Sequence, residues 1–103
     1  MSNTATIEET KTNVRTQRPH NVVLLNDDEH SVLYVVNLCS KVFGFNEAKG
    51  VEVAHEVHFT GRCIVYSGCL EVAELKQEQI HSFGADALVP HCKGSMTAII
   101  EQA

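Results

Sequence analysis

The chain has 103 residues, a length that suits one domain with a single modest core. Its net charge of −5 argues against nonspecific nucleic-acid binding, and 44% hydrophobic content is ordinary for a globular protein. No stretch approaches a membrane span and the N-terminus lacks the apolar core of a signal peptide, so a cytoplasmic protein without membrane partners is expected.

Residues 1–20 are polar, rich in Thr and Glu, and carry no periodicity, which predicts a flexible N-terminal extension before a core domain over 21–103. Asn21 to Leu25 reads as a short, β-branched first strand, and Asn26 to His30 turns the chain. Val32, Val35, Val36, Cys39, Val42 and Phe43 follow at helical spacing, with Gly44 as the stop. Asn46 is placed to cap a second helix, with Glu47 favourable in its first turn and Gly61 at its end. That helix sets Val51, Ala54, Val57 and His58 on one side. Gly50 inside it costs about 1 kcal/mol against Ala and calls for packing support. Cys63 to Tyr66 reads as a second strand and Gly68 as a turn. Glu71 to Phe83 reads as a third helix with Val72, Leu75, Ile80 and Phe83 inward, stopped by Gly84. A loop over 85–94 leads to a third strand, Met96 to Ile100. The order is strand, helix, helix, strand, helix, strand. It predicts an α+β fold: a two-layer sandwich of three helices on one face of a three-stranded antiparallel sheet.

The abrupt end of the first strand in Asn26, Asp27 and Asp28 is the most informative local feature. A protonated amine offers three donors and needs acceptors around it. Asn26 has a carbonyl oxygen, Asp27 a carboxylate, and a neutral His58 one ring nitrogen. Charge-assisted bonds are the stronger kind, so a few of them discriminate a free amine from an amide. Ala54, Val57 and His58 share one helix face at i, i+3 and i+4, and Val32 and Val35 share another. If these faces meet beside Asn26 they wall an apolar pocket next to the polar cluster. Spacing alone leaves the plain alternative open: a capping turn, a surface histidine and ordinary core.

Metal and thiol chemistry have weaker signatures. His55-Glu56-Val57-His58 is one residue short of the zincin pattern. His91, Cys92 and Cys69 are scattered, so no cofactor or metal is expected. Cys39, Cys63, Cys69 and Cys92 form no Cys-x-x-Cys pair and read as free thiols. No nucleophile motif or phosphate loop is present, so no catalytic residue is assigned and the chain reads as a non-enzyme.

Residues 22–103 resemble the ClpS family of adaptors. The resemblance rests on Val23-Leu24-Leu25-Asn26-Asp27-Asp28, Tyr34-Val35-Val36, Val57-His58-Phe59-Thr60-Gly61-Arg62, Glu71-Val72-Ala73-Glu74-Leu75-Lys76 and the C-terminal Ile100-Glu101-Gln102-Ala103. It implies an adaptor that binds bulky hydrophobic N-terminal residues (N-degrons) and delivers substrates to a ClpA/ClpC-type AAA+ unfoldase for ClpP degradation. It implies that Asn26, Asp27 and His58 hold the substrate α-amino group, with Asp28 less directly involved. Val35 and Val57 match pocket walls. Glu71 and Lys76 match the face that docks on the unfoldase N-terminal domain, and the extension matches a segment implicated in substrate hand-over.

The chain also departs from the family pattern, Asn-Asp-Asp-aromatic-Thr-Pro-Met. Here Glu29 follows the acidic pair, His30 replaces the threonine, Ser31 the proline and Val32 the gatekeeping methionine. Ala54 stands where a second methionine is frequent, Met96 where a leucine is usual, and the loop over 86–95 is longer. The amine site is therefore expected intact. The pocket of His30, Val32, Val35, Ala54, Val57 and Met96 is expected to be wide enough for β-branched N-terminal residues. The competing expectation is that His30 or Met96 fills the space. Protonating His58 would turn an acceptor into a donor, so affinity should fall on acidification through the imidazole range.

Three rival readings stay open. They are a ClpS-like paralogue that docks on the unfoldase without N-degron binding, a small metal-binding or redox module, and a ribosomal-stalk-like recruitment domain.

Overall fold

In the computed structural model, the structure describes residues 18–26, 30–86 and 94–103. The elements are β1 (His20–Leu25), α1 (Val32–Phe43), α2 (Glu47–Thr60), β2 (Arg62–Gly68), α3 (Leu70–His81) and β3 (Ala98–Gln102). The expected α+β order holds throughout. β1 is the centre of a three-stranded sheet of order β2-β1-β3, antiparallel on both sides. β3 begins at Ala98 rather than Met96, and β2 runs beyond Tyr66 to Gly68. The extension expected over 1–20 falls mostly on residues 1–17, outside the described residues; β1 itself begins at His20.

Helix boundaries follow local chemistry. The Ser31 hydroxyl accepts from the Tyr34 N–H at 3.1 Å and opens α1. Gly44 closes it at φ 73°, and its N–H returns to the Cys39 and Ser40 carbonyls. The Asn46 side chain accepts from the Lys49 N–H at 2.8 Å and opens α2, as its position in the sequence implies. Gly61, at φ 89°, closes α2 with its N–H on the Val57 carbonyl.

The helices cover one face of the sheet. Val22 and Leu24 of β1 point into a core shared with Leu38 and Cys39 of α1, Val53 and Val57 of α2, and Ile80 of α3. Gly50 is buried where α2 crosses α1, with the Val36 backbone directly opposite. This is the packing support the sequence demands of that glycine. Val23 belongs to the opposite face and is still fully buried. Its cross-strand partners are Ile64 and Ile99. Arg62, opposite Leu25, reaches diagonally to Glu101, opposite Asn21, so their ion pair straddles Val23.

α3 corrects one expectation. Leu75 is exposed, and the buried positions are Ala73 and Ile80, with Lys76 and Gln77 half-buried between them. Ile80 is buried and Val72 and Phe83 half-buried as expected, but Lys76 and Gln77 turn inward in place of Leu75 because both find backbone acceptors. Lys76 Nζ donates to the Val42 carbonyl at 2.7 Å and Gln77 Nε2 to the Ala98 carbonyl at 2.9 Å. Lys76 thereby caps the last turn of α1, where a cation suits the helix dipole. Its ammonium also lies 5.6 Å from the centre of the Phe43 ring.

Candidate functional site

Two backbone hydrogen bonds at the end of β1 assemble the site. Leu25 N–H donates to the Thr97 carbonyl at 2.9 Å, bringing in Met96 just before β3. Asn26 N–H donates to the Gly61 carbonyl at 3.1 Å, setting Asn26 beside the last turn of α2, where His58 and Phe59 stand. The start of α1 closes the other side. Between these pieces lies a half-open cleft of about 480 Å³, lined by Asn26, His30, Ser31, Val32, Val35, Ala54, His55, Val57, His58, Phe59 and Met96.

The structure thus brings together Asn26, His58 and all six residues expected to wall a pocket: His30, Val32, Val35, Ala54, Val57 and Met96. Val35, Ala54, Val57 and Met96 form a buried apolar floor, while Val32 stands half exposed at the mouth. Asp27 and Asp28 lie outside the described residues. Glu71 and Lys76 are both on α3 and do not line the cleft; Glu71 is exposed and Lys76 is bound back onto α1.

Ser31, His55 and Phe59 also line the cleft, though the sequence reading assigned none of them to the pocket. A signal existed for His55, which lies three residues before His58 and so shares its helix face. Phe59 is turned outward, 80% exposed, and no periodicity argument selects an exposed side chain.

The rim is anchored on the segment that follows α3. Ser31 N–H donates to Asp86 Oδ2 at 2.7 Å, and Asp86 is buried at 4% exposure. His30 Nε2 pairs with the Gly94 carbonyl at 2.8 Å, and the Tyr34 hydroxyl donates to the Gly84 carbonyl at 2.5 Å. The His30 ring lies 4.4 Å from that of Tyr34, which meets Phe83 edge-on at 5.3 Å. Both ends of the loop between Asp86 and Gly94 are therefore fastened to the residues that form the mouth.

The two helix ends at the cleft carry opposite partial charges. The start of α1 is positive, but the Ser31 hydroxyl and the Asp86 carboxylate occupy it. The end of α2 is negative and lies beside His58 and Asn26, a sign that suits a cation. A polar edge thus adjoins an apolar floor.

Among the described residues no group of three or more His, Cys, Asp or Glu side chains could hold a metal ion. Cys39 and Cys63 are buried free thiols and Cys69 an exposed one; Cys92 lies outside the described residues. Among the described residues no helix is long and apolar enough to cross a membrane.

Comparisons of sequence and of fold point to a single family. The family described as "ATP-dependent Clp protease adaptor protein ClpS" matches residues 15–90. The chain is similar to the Clp protease adapter protein ClpS of Ruegeria sp. strain TM1040, at 41% identity over 72% of this chain and 67% of that one. It is also similar to the ClpS adapter of Hydrogenovibrio crunogenus, at 37% identity over 78% and 77%. Among solved structures, Agrobacterium tumefaciens ClpS2 bound to L-phenylalaninamide superimposes with a TM-score of 0.72 at 25% identity, covering 84% of this chain and 99% of that one. The names describe an adaptor rather than an enzyme, and the chain belongs to the ClpS family of ATP-dependent Clp protease adaptors.

Proposed function

We propose that the cleft receives the N-terminal residue of a substrate protein. Asn26, Asp27 and His58 hold its free α-amino group, with Asp28 assisting. His30, Val32, Val35, Ala54, Val57 and Met96 surround its side chain. The observation that carries this reading is the meeting of Asn26 and His58 at one edge of an apolar cleft. A desolvated ammonium without acceptors would be costly, so the polar edge selects for a free amine while the floor selects for a bulky apolar side chain. L-Phenylalaninamide, the ligand of the Agrobacterium relative, has both features: a free amine and an aromatic side chain.

In this reading the protein catalyses nothing. It passes its cargo to the N-terminal domain of a ClpA/ClpC-type unfoldase in the cytoplasm, with the N-terminal extension taking part in the hand-over. Glu71 meets the unfoldase directly. Lys76, held on the Val42 carbonyl, contributes a charge fixed in place rather than a free arm.

Fluorescence anisotropy with labelled peptides tests the proposal. A peptide beginning with free Leu or Phe should bind, and the same peptide N-acetylated should lose at least tenfold in affinity, roughly the worth of one charge-assisted contact. Equal binding of the free and acetylated peptides would sink the amine-recognition reading.

A further inference from the structure

Phe59 has 80% of its surface in solvent, more than any other large apolar side chain among the described residues, yet it lines the cleft. A single exposed apolar residue is ordinary on a protein surface. Phe59 differs in being held. Its ring meets His58 near edge-on at 5.1 Å and His55 at 6.3 Å. Directly behind it Gly61, at φ 89°, turns the chain away into β2. Val32, half exposed, lines the same cleft, so two exposed apolar side chains border it.

The cleft is also larger than one side chain needs. An apolar cavity of about 150 Å³ is enough to take a benzene ring, and this one measures about 480 Å³. Successive Cα atoms of a chain lie about 3.8 Å apart. A peptide whose amino nitrogen sits at His58 therefore carries its second residue only a step further along, within reach of the neighbouring Phe59 ring, whose centre lies 5.1 Å from that of His58.

We infer that Phe59, propped by His55, forms a second subsite that takes an apolar or aromatic side chain at the second position of the bound N-terminal segment. This rests on the amine-binding reading above. An edge-to-face or offset contact with Phe59 supplies the preference, and burying the Phe59 face on binding adds to it.

The test compares free-amine peptides that share Leu at the first position and carry Phe or Gly at the second. They are titrated into the full chain, Phe59→Ala and Phe59→Tyr. The wild type should bind the Leu-Phe peptide about threefold to tenfold tighter than Leu-Gly. That ratio should fall to near one in Phe59→Ala and persist in Phe59→Tyr. A ratio that survives Phe59→Ala, or a wild-type ratio of one while both peptides bind, overturns the subsite and leaves first-residue recognition standing. Failure of both peptides to bind the wild type overturns the two readings together.

Discussion

Val32 stands half in solvent on the first turn of α1, at the mouth of the cleft, while Ala54 lies buried on its floor. Both are short where the ClpS pattern favours methionine, so neither position puts a long flexible side chain into the cleft. Ile and Val branch at Cβ, close to the ligand backbone, and need width at that level more than depth. Val32→Met should therefore lower the affinity for an N-terminal Ile peptide relative to Leu by about tenfold, the lower end of what such shape differences achieve. Competition binding with the two peptides reads the ratio, and an unchanged ratio would leave Val32 without a gating role. His30 does not fill the space freely, since its ring is held on Tyr34 and its Nε2 on the Gly94 carbonyl.

At the scale of elements, the second helix shows a local rule giving way to packing. Gly50 is unfavourable in a helix by about 1 kcal/mol against Ala, and the usual remedy is Gly→Ala. Here a Cβ would stand 3.0 Å from the Val36 Cα, a backbone atom of α1 that cannot move without shifting that helix. Overpacking of this kind costs about 1 to 3 kcal/mol. The clash outweighs the propensity gain, so Gly50→Ala should lower stability by about 1 kcal/mol. Chemical denaturation measures it, and a rise in stability would show that the α1–α2 contact is softer than its geometry implies. Caps, by contrast, were legible in α1 and α2, where Asn46, Gly44 and Gly61 act through bonds to residues a few positions away, whereas α3 ends at His81 with Ser82 as its cap and not at the expected Gly84. The facing of α3 was not legible, because the acceptors for Lys76 and Gln77 come from α1 and β3, distant in sequence.

On the scale of the whole molecule, one core spans both layers and holds Cys39 of α1 and Cys63 of β2. Burial pushes the Cys39 thiol from the ordinary value of 9.0 up to about 11, since a buried thiolate loses its hydration. Burial, reinforced by the charge of Glu56 and a hydrogen bond to it, pushes Cys63 up to about 12. Both thiols remain neutral in the folded chain while the unfolded chain ionises from pH 9 upward. Their contribution to stability is complete below that value and drains away as pH rises through 11 to 12. Urea melts between pH 8 and 11 should show a steeper loss for the wild type than for a Cys39→Ala, Cys63→Ala double variant. Parallel losses would mean that these thiols ionise alike in both states.

Fold order, strand and helix identity and most of the pocket residues were determined by the sequence itself. They depend on short-range signals: the short β-branched apolar run of β1, helical spacing with its caps, and the polar stop at Asn26. His55 could also have been read, from its spacing to His58. What only the tertiary structure decided are the properties created by closure: the burial of Asp86 under Ser31, the inward turn of Lys76, and the exposed station of Phe59 beside a cleft. Each depends on a partner tens of residues away, or on the lack of a covering neighbour. A pattern within one segment carries no record of which distant backbone group will come to face it.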